Sequence, residues 1–345
     1  MADLRPILAE LADGAILSTE RSEEAFEIIM SGAADLAQMA AFIMALRLRG
    51  ETVDEIVGGA KVLRARAAAL NAPTGSVDTC GTGGDGVGTY NISTAAAIVA
   101  ASAGATVAKH GNRSVSSKSG SADVLKALGA NLELSIADNE KSLRKNRFAF
   151  MFAPAHHKAM RHVAPARASL QLRTIFNLLG PLANPAQTKR QVLGVFDTKW
   201  LMPMAEVLKK LGSEHVWVVH GSDGLDEITT TGKTYVVALK DGTISEFELT
   251  PESVGLPQSS LEALKGGEAE ENAAAMQKLF EGEPSAYRDI VLMNSGAALV
   301  VAGIASDFAD GVARAQKAID NGDTLATLKA WINFTNSRTS EASLD

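Results

Sequence analysis

The sequence predicts an α/β protein, with a small helical N-terminal domain and a large α/β domain whose mainly parallel central sheet is flanked by helices. The first seventy residues have helical spacing, whereas the chain beyond residue 76 alternates short apolar runs with helical segments. Between them, residues 71–76 contain Pro73 and Gly75 and are typical of a linker. We therefore place the helical domain at residues 1–70 and the α/β domain at residues 71–345.

The first domain is predicted from helical periodicity and from start and stop signals. Apolar residues recur at helical spacing in one segment: Leu36, Met39, Ile43 and Leu46. Gly50 then follows as a stop signal. Thr52, with Glu55 three residues later, predicts a capping box for the next helix, which extends to about Leu70.

The second domain is predicted from alternating elements. Short apolar runs predict strands at Val77–Cys80, Ala105–Lys109, Phe148–Phe152, Gln191–Phe196 and His215–His220. Helices are predicted at Thr94–Ala103, Ser121–Leu128, Asp138–Asn146 and Leu201–Leu211. This alternation indicates a mainly parallel sheet with ligands at the strand C-terminal ends. Residues 234–249 predict a β-hairpin around Asp241-Gly242, and helices return after about Ser259.

Composition excludes several classes of protein. The formal net charge is −7, which argues against a broad basic surface for nucleic acid. Cys80 is the only cysteine, so no intrachain disulfide can form. Asp3, Arg5 and Glu10 interrupt the opening residues, and the uncharged run at residues 90–108 is too rich in polar residues for a membrane span. We therefore expect a cytoplasmic protein that binds neither nucleic acid nor membranes.

One window departs from this acidic background. Residues 86–122 contain no Asp or Glu, whereas the composition predicts about four. The same window carries Lys109, His110, Arg113 and Lys118. Glycine amides, hydroxyls and cations without a competing carboxylate suit a polyanionic ligand, so the window predicts a phosphate site.

The string GTGGDG, residues 81–86, leads into this window and lies between a predicted strand and a predicted helix. Glycines let the backbone approach an anion closely, and the helix N-terminus adds free amides. Ser93 and Thr94 could cap that helix, or present a hydroxyl to a phosphate-bound Mg²⁺. The string fits neither the dinucleotide fingerprint nor the Walker A motif, and a plain tight turn is the alternative.

A second loop, KHGNRSVSSKSGSAD at residues 109–123, follows another predicted strand. Arg113 and Lys118 could bind phosphate oxygens. Hydroxyl or backbone groups could donate from Ser116, Ser117, Ser119 and Ser121. The alternative is a flexible polar loop whose serines and glycines only permit turns.

Asp226 and Glu227 form an acidic pair after the strand ending at His220. Adjacent carboxylates are unfavourable together unless a cation screens them, and hard oxygen ligands suit Mg²⁺. A magnesium–diphosphate ligand would connect this pair with the basic loops. A solvated acidic turn is the alternative.

Residues 152–185 carry histidines and arginines. His156, His157 and His162 lack a nearby carboxylate or cysteine to complete a metal site, so satisfied or surface histidines are favoured. Arg167 and Arg173 lie about one and a half turns apart on a predicted helix, where one could clamp a substrate carboxylate; surface arginine is the alternative. No Ser-His-Asp or Cys-His nucleophile pattern is found.

Taken in order, GTGGDG, NIST, KHGNRSVSSKSGSADVLKALG, LDE and RTIFNLLGPLANP resemble the anthranilate phosphoribosyltransferase family over about residues 5–335. The resemblance implies the fold shared with pyrimidine nucleoside phosphorylases, a homodimer, and helices from about residues 166–185 that pack on the helical domain. It implies transfer of the 5-phosphoribosyl group from phosphoribosyl diphosphate to the amino group of anthranilate, with Mg²⁺. The implied products are N-(5-phosphoribosyl)anthranilate and diphosphate, in tryptophan biosynthesis.

The resemblance also implies roles for individual residues. Phosphoribosyl diphosphate would be held by Gly81, Gly84, Asp85, Thr89, Asn91, Ile92, Ser93, Thr94, Lys109, His110, Gly111, Asn112, Arg113, Ser114, Val115, Ser116, Ser117 and Ser121. Mg²⁺ would be contacted by Ser93, Asp226 and Glu227. Anthranilate would be held by Asn112 and Arg167, with Gly81 adjoining both ligands and His110, Pro154, His157 and Gly180 lining its entrance.

No residue is implied as a general acid, general base or nucleophile. Anthranilate's aromatic amine is neutral at pH 7, so we expect catalysis by positioning and electrostatic stabilisation, with domain closure excluding water. Two alternatives stay open: a pyrimidine nucleoside phosphorylase-like enzyme, and a noncatalytic relative that binds nucleic acid. The acidic charge and the Asp226-Glu227 pair argue against the second.

Overall fold

A computed structural model describes residues 3–84, 86–113 and 118–338 of the chain. Four helices form its first part: α1 (Arg5–Ala12), α2 (Thr19–Met30), α3 (Leu36–Arg49) and α4 (Val53–Arg66). The capping box that Thr52 and Glu55 predict is present at the start of α4. The buried Glu55 carboxylate also accepts from the Arg49 guanidinium at 2.5 Å and from Leu17 N at 3.1 Å, so it joins α3, α4 and the segment before α2.

Among the described residues of the α/β part, seven strands form one sheet. They are β1 (Val77–Gly81), β2 (Val107–Gly111), β3 (Phe148–Phe152), β4 (Arg190–Gly194), β5 (His215–Gly221), β6 (Thr234–Lys240) and β7 (Thr243–Leu249). Their order is β3-β2-β1-β4-β5-β6-β7. The first five are parallel, and β6 and β7 form the predicted antiparallel hairpin. Asp241 and Gly242 both have positive φ at its turn, as a two-residue hairpin loop requires.

Eleven further helices appear within the described residues. They are α5 (Ile92–Ser102), α6 (Ser121–Ala127), α7 (Ile136–Asn146), α8 (Ala153–His156), α9 (Ala164–Leu170), α10 (Ile175–Leu182), α11 (Leu201–Lys210), α12 (Ala269–Phe280), α13 (Ala286–Ala302), α14 (Phe308–Asp320) and α15 (Asp323–Asn336). Short 3₁₀ segments lie at Lys158–His162, Thr198–Trp200, Pro251–Val254 and Glu262–Leu264. No helix in these ranges is long and apolar enough to cross a membrane.

The two faces of the sheet contact different cores, because successive strand residues point to opposite sides. Val192 and Trp217 pack with α5 and α13 in one core. Leu193 and Val218 pack in the other core, which includes α11 and the N-terminal helices. The helical domain is therefore attached to the α/β domain through apolar packing beneath the sheet.

Helices α9 and α10 belong to the second core rather than to the layer over the sheet. Phe176 of α10 packs edge-on against Phe26 of α2, with ring centroids 5.8 Å apart. The Arg64 side chain of α4 donates to the Leu182 carbonyl at 2.7 Å. One expectation is wrong here: Arg167 and Arg173 do not share a helix, because α9 ends at Leu170 and Gln171 takes up a left-handed conformation. The order is otherwise the predicted small helical unit followed by an α/β domain. The predicted strands and the predicted helices of the α/β domain have ends within two residues of those observed, whereas α4 ends at Arg66, four residues before the predicted Leu70.

Candidate active site

The parallel strands place their C-terminal ends along one edge, and the strand order reverses direction between β1 and β4. Ligands bind at such a switch point in open α/β sheets. Gly81 of β1 and Gly194 of β4 are paired there. A Cβ on Gly81 would lie 2.2 Å from Asp226 Oδ2, and one on Gly194 would lie 1.6 Å from the Asp226 carbonyl oxygen. The two glycines therefore make room for Asp226 to enter the switch point.

The glycine loop after β1 is fastened to that carboxylate. The Gly83 amide donates to Asp226 Oδ2 at 2.7 Å. Gly83, Gly84, Gly86 and Gly88 all have positive φ, which a residue with a side chain rarely adopts, so the loop requires these glycines. Asp85, the remaining predicted residue of this loop, lies outside the described residues.

Glu227 is fastened to the start of α5, on the other side of the same loop. Its Oε1 accepts from the Ser93 amide at 3.1 Å. Amides in the first turn of a helix have no carbonyl partner within the helix, so this position favours an anion. Lys109 of β2 is 1% exposed, and its ammonium donates to the Thr79 carbonyl at 2.5 Å and to Ser93 Oγ at 3.3 Å. Burial lowers the pKa of Lys109, while Asp78, Cys80, Glu227 and Asp226 favour its charged form. Ser93 thus lies between a cation and a carboxylate.

Asn294 of α13, a residue that the motifs did not indicate, binds the backbone directly after the Asp226-Glu227 turn. Its amide accepts from Ile228 N at 3.0 Å and donates to the Ile228 carbonyl at 2.8 Å. Asn294 is buried and follows four buried apolar residues of α13: Ile290, Val291, Leu292 and Met293. A lone amide in such a run is the sequence signal that could have identified it.

Asn91 joins the glycine loop to the basic loop. Its Nδ2 donates to the Ser119 carbonyl at 3.1 Å, and its Oδ1 accepts from Asn272 Nδ2 at 3.0 Å. Thr94, three residues on, donates to Ser121 Oγ at 2.8 Å. The two loops that the sequence predicts to share a ligand are therefore neighbours. Asn272 of α12 was not among the predicted residues, because no motif surrounds it.

The remaining residues of the basic loop lie near its two ends. Asn112 and Lys118 are exposed, and the Arg113 guanidinium lies over the Phe152 ring at 5.7 Å. Gly111 faces Phe150, whose ring carbon would lie 2.9 Å from an added Cβ. Four predicted residues lie outside the described ranges: Ser114, Val115, Ser116 and Ser117.

His110 lies in a buried cluster that the sequence did not predict. Its Nδ1 is 2.6 Å from Asp78 Oδ2, and its Nε2 is 2.9 Å from the Gly180 carbonyl oxygen. Atoms of Asp78, Cys80 and His110 all lie within 4.8 Å of one another, so a cysteine does approach a histidine in space. The thiol is not activated, however, because burial and the Asp78 charge raise the pKa of Cys80 well above its usual value.

The three other histidines of this region do not form a metal cluster within the described ranges. His156 Nδ1 lies 2.8 Å from the Ala68 carbonyl oxygen, as expected of a satisfied histidine. His157 is buried, and its Nε2 has no hydrogen-bond partner among the described residues. Burial and the nearby positive charge of His110 lower the pKa of His157 to about 4, so its ring is neutral at pH 7.

The two arginines face different surroundings. Arg167 lies over the Phe176 ring at 5.8 Å, and burial lowers the pKa of its guanidinium. Arg173 lies over the Phe196 ring at 4.7 Å, and its Nε would be 3.2 Å from a Cβ on Gly84. Arg173 is thus a cation next to the glycine loop. Gly180 and Pro154 are exposed, as residues that line an opening must be.

Comparison with known proteins gives a consistent result. A profile for the Glycosyl transferase family, helical bundle domain, matches residues 5–67, and a profile for the a/b domain of the same family matches residues 74–325. Anthranilate phosphoribosyltransferase of Parvibaculum lavamentivorans is 56% identical, covering 98% of this chain and 99% of its own length. That of Azospirillum brasilense is 57% identical, covering 98% and 94%. The chain belongs to the anthranilate phosphoribosyltransferase family.

Solved structures agree with this membership. Anthranilate phosphoribosyltransferase from Thermus thermophilus superposes with a TM-score of 0.91 at 42% identity, covering 95% of this chain and 99% of that one. The Saccharomyces cerevisiae protein, in complex with phosphoribosyl diphosphate and Mg, has a TM-score of 0.88 at 27% identity, covering 97% and 98%. The chain is a glycosyltransferase of tryptophan biosynthesis. The sequence-based predictions of family, fold class and enzyme class are confirmed.

Proposed function

We propose that the switch point between β1 and β4 transfers the phosphoribosyl group of phosphoribosyl diphosphate to the amine of anthranilate. The observation that carries the proposal is the convergence of the glycine loop, the start of α5 and the Asp226-Glu227 turn. Gly83 N contacts Asp226 and Ser93 N contacts Glu227, so carboxylates and anion-binding amides share one small space. Such a set suits a polyanion that arrives with its own divalent cation.

Phosphoribosyl diphosphate would be bound by the glycine loop, the start of α5 and the basic loop, at the positions that the family resemblance implies. Backbone amides and permanent cations meet there, and residues 86–122 themselves contain no Asp or Glu. Asn91 contributes by holding the two loops together through Ser119. Arg173 adds a cation beside Gly84 that the resemblance did not include.

Mg²⁺ fits the donor set formed by Asp226, Glu227 and Ser93. Two carboxylates and a hydroxyl are hard oxygen donors, and Gly81 and Gly194 leave the space that the Asp226 group occupies. When bound, the cation neutralises diphosphate and makes it a better leaving group. Lys109 would hold Ser93 in place through its 3.3 Å contact with the hydroxyl oxygen.

Anthranilate would be bound at the side of the switch point where α9 and α10 lie. Arg167 is a permanent cation with lowered solvation, which strengthens a bidentate contact with a carboxylate. Asn112 would add an amide, while Gly180, Pro154, His110 and His157 would line the entrance. Because the amine is already neutral, attack at the ribose C1 needs positioning rather than a strong general base.

The assembly of the protein is also proposed. We assign α9 and α10 to the helical domain because their core residues pack with α2 and α4. Three exposed apolar side chains of that domain, Ile16, Leu36 and Leu48, support a homodimer contact there. A cytoplasmic location is supported by the single, unpaired Cys80.

The decisive experiment measures anthranilate fluorescence with purified protein. Fluorescence should fall when phosphoribosyl diphosphate and Mg²⁺ are added together, and should stay constant when either is omitted. Mass spectrometry should then detect N-(5-phosphoribosyl)anthranilate. Constant fluorescence with all components present would reject the proposal.

A further inference from the structure

Strand β1 carries a carboxylate, Asp78, that none of the roles above uses. The residue is 0% exposed and lies in the middle of a buried strand of the sheet. Its Oδ2 lies 2.6 Å from His110 Nδ1 on the adjacent strand β2, and its Oδ1 accepts from the His110 amide at 3.4 Å. A buried carboxylate is unfavourable without partners, so this one must be satisfied by what surrounds it.

The second ring nitrogen decides the protonation of His110. Its Nε2 lies 2.9 Å from the carbonyl oxygen of Gly180 on α10. A carbonyl can only accept a hydrogen bond, and so can an ionised carboxylate. With the Asp78 carboxylate ionised, as its lowered pKa favours, an acceptor faces each ring nitrogen, so both nitrogens carry protons and the ring is an imidazolium.

The electrostatics of the pair agree with this geometry. Burial raises the pKa of the Asp78 carboxyl, but the charge and hydrogen bond of His110, together with the Lys109 charge and a hydrogen bond from Asn184, outweigh it, and the pKa falls below its usual value. Burial lowers the pKa of His110, but the Asp78 carboxylate and the Gly180 carbonyl outweigh it, and the pKa rises. A buried charged pair with each partner satisfied by further hydrogen bonds is the arrangement that tolerates burial.

Three other titratable groups face this pair, and the Asn184 side chain also hydrogen-bonds to Asp78. The Lys109 ammonium favours the Asp78 carboxylate and opposes the imidazolium. Cys80 is a neutral thiol whose sulfur receives a hydrogen bond from Gln191 at 3.0 Å. His157 is neutral, since its pKa is about 4. Asp78 is therefore the anion that stabilises the imidazolium.

We propose that Asp78 is a positioning residue: it keeps His110 doubly protonated, and His110 thereby fixes the Gly180 carbonyl at the entrance of the acceptor pocket. The pair connects β2, which leads into the basic loop, to α10, which packs on the helical domain. His110 then has no free lone pair and does not accept the proton of the attacking amine. The assignment of the pocket to anthranilate rests on the proposed function.

The first test is nitrogen NMR of the histidine rings in the intact protein. The His110 signals are identified by their loss in His110→Gln. In the wild type they should show two protonated nitrogens at about pH 7.5, well above the ordinary histidine pKa. His157 in the same spectrum is the reference for a neutral ring. A neutral His110 ring in the wild type overturns the proposal.

The second test is the isosteric variant Asp78→Asn, which removes the charge and keeps the size. Its His110 should lose one proton at lower pH than in the wild type. Anthranilate KM should rise about tenfold at pH 8 and much less at pH 6, because the raised pKa is what keeps the proton as pH rises. The KM for phosphoribosyl diphosphate should stay within about twofold of the wild-type value.

The outcomes separate the two proposals. A variant whose His110 titrates as in the wild type, or whose anthranilate KM rises equally at both pH values, overturns the role of Asp78. Wild-type protein that shows the imidazolium but does not convert anthranilate overturns the proposed function and leaves the Asp78–His110 assignment standing.

Discussion

The proposed phosphate side and the proposed acceptor side of the site are built differently. On the phosphate side, Asp226 and Glu227 are tied by hydrogen bonds to backbone amides of the glycine loop and of α5. On the acceptor side, Arg167 lies over an aromatic ring, and within the described residues no carboxylate pairs with it. On the same side, His157 Nε2 has no hydrogen-bond partner among the described residues.

The difference indicates which side is formed before the substrates arrive. The phosphate side belongs to the sheet of one domain, so its geometry is fixed by the α/β fold. The acceptor side is carried by α9 and α10, which pack with the N-terminal helices. Unpaired, poorly solvated groups gain most from a complementary ligand, so we expect the acceptor side to become fully satisfied only when anthranilate binds.

The largest effect should come from removing both carboxylates of the phosphate side. Asp226→Asn combined with Glu227→Gln should lower kcat/KM by about 10³-fold, because the Mg²⁺ that neutralises the leaving diphosphate would lose its two carboxylate ligands. The Mg²⁺ titration of activity should shift to higher concentration. The exposed pair Glu246→Gln and Glu248→Gln removes the same charge far from the site and is the control. If the Asp226/Glu227 variant showed the same Mg²⁺ titration as the wild type, the role of these two carboxylates as metal ligands would be rejected.

Arg167→Ala should have the next largest effect, on the acceptor side alone. Anthranilate KM should rise about 10- to 100-fold, the size of a lost charge-assisted contact, while binding of phosphoribosyl diphosphate is spared. Steady-state kinetics with each substrate varied makes this distinction. Arg161→Ala, at an exposed position of the preceding 3₁₀ segment, is the matched control. An unchanged anthranilate KM would reject the assignment.

Asn272→Ala tests whether the phosphate side depends on the hydrogen bond from α12 to Asn91. Loss of its hydrogen bond to Asn91 should loosen the connection between the two loops and raise the KM for phosphoribosyl diphosphate about fivefold. Gln277→Ala, exposed on the same helix, should behave as wild type. If both variants match the wild type, the two loops hold their positions without α12.

The smallest effect concerns pH and the unpaired His157. Because burial lowers its pKa to about 4, the folded state resists its protonation, and stability is lost as pH falls below the ordinary histidine value. Between pH 7 and pH 4.5, the unfolding free energy of His157→Gln should therefore fall by about 1–2 kcal/mol less than that of the wild type. Urea unfolding at both pH values measures this. An equal loss in the two proteins would mean that His157 is solvated in the native state.

Much of the fold could be predicted from local signals. The Thr52–Glu55 capping box, the strand at Phe148–Phe152 and the Asp241-Gly242 hairpin turn appear where the sequence predicts them. Each depends on neighbouring residues alone. The single helix expected for Arg167 and Arg173 was wrong because the left-handed backbone at Gln171 has no glycine to signal it.

The order of the elements and the family could be predicted from the sequence, since motifs reflect chemistry along the chain, and the segments of the proposed site were selected on the same basis. Which distant residues support those segments became visible in the folded protein. Asp78, Asn272 and Asn294 lie outside every motif and reach the site through strand pairing and helix packing. A contact between residues far apart in the chain depends on how the elements pack, and no local pattern of residues encodes it.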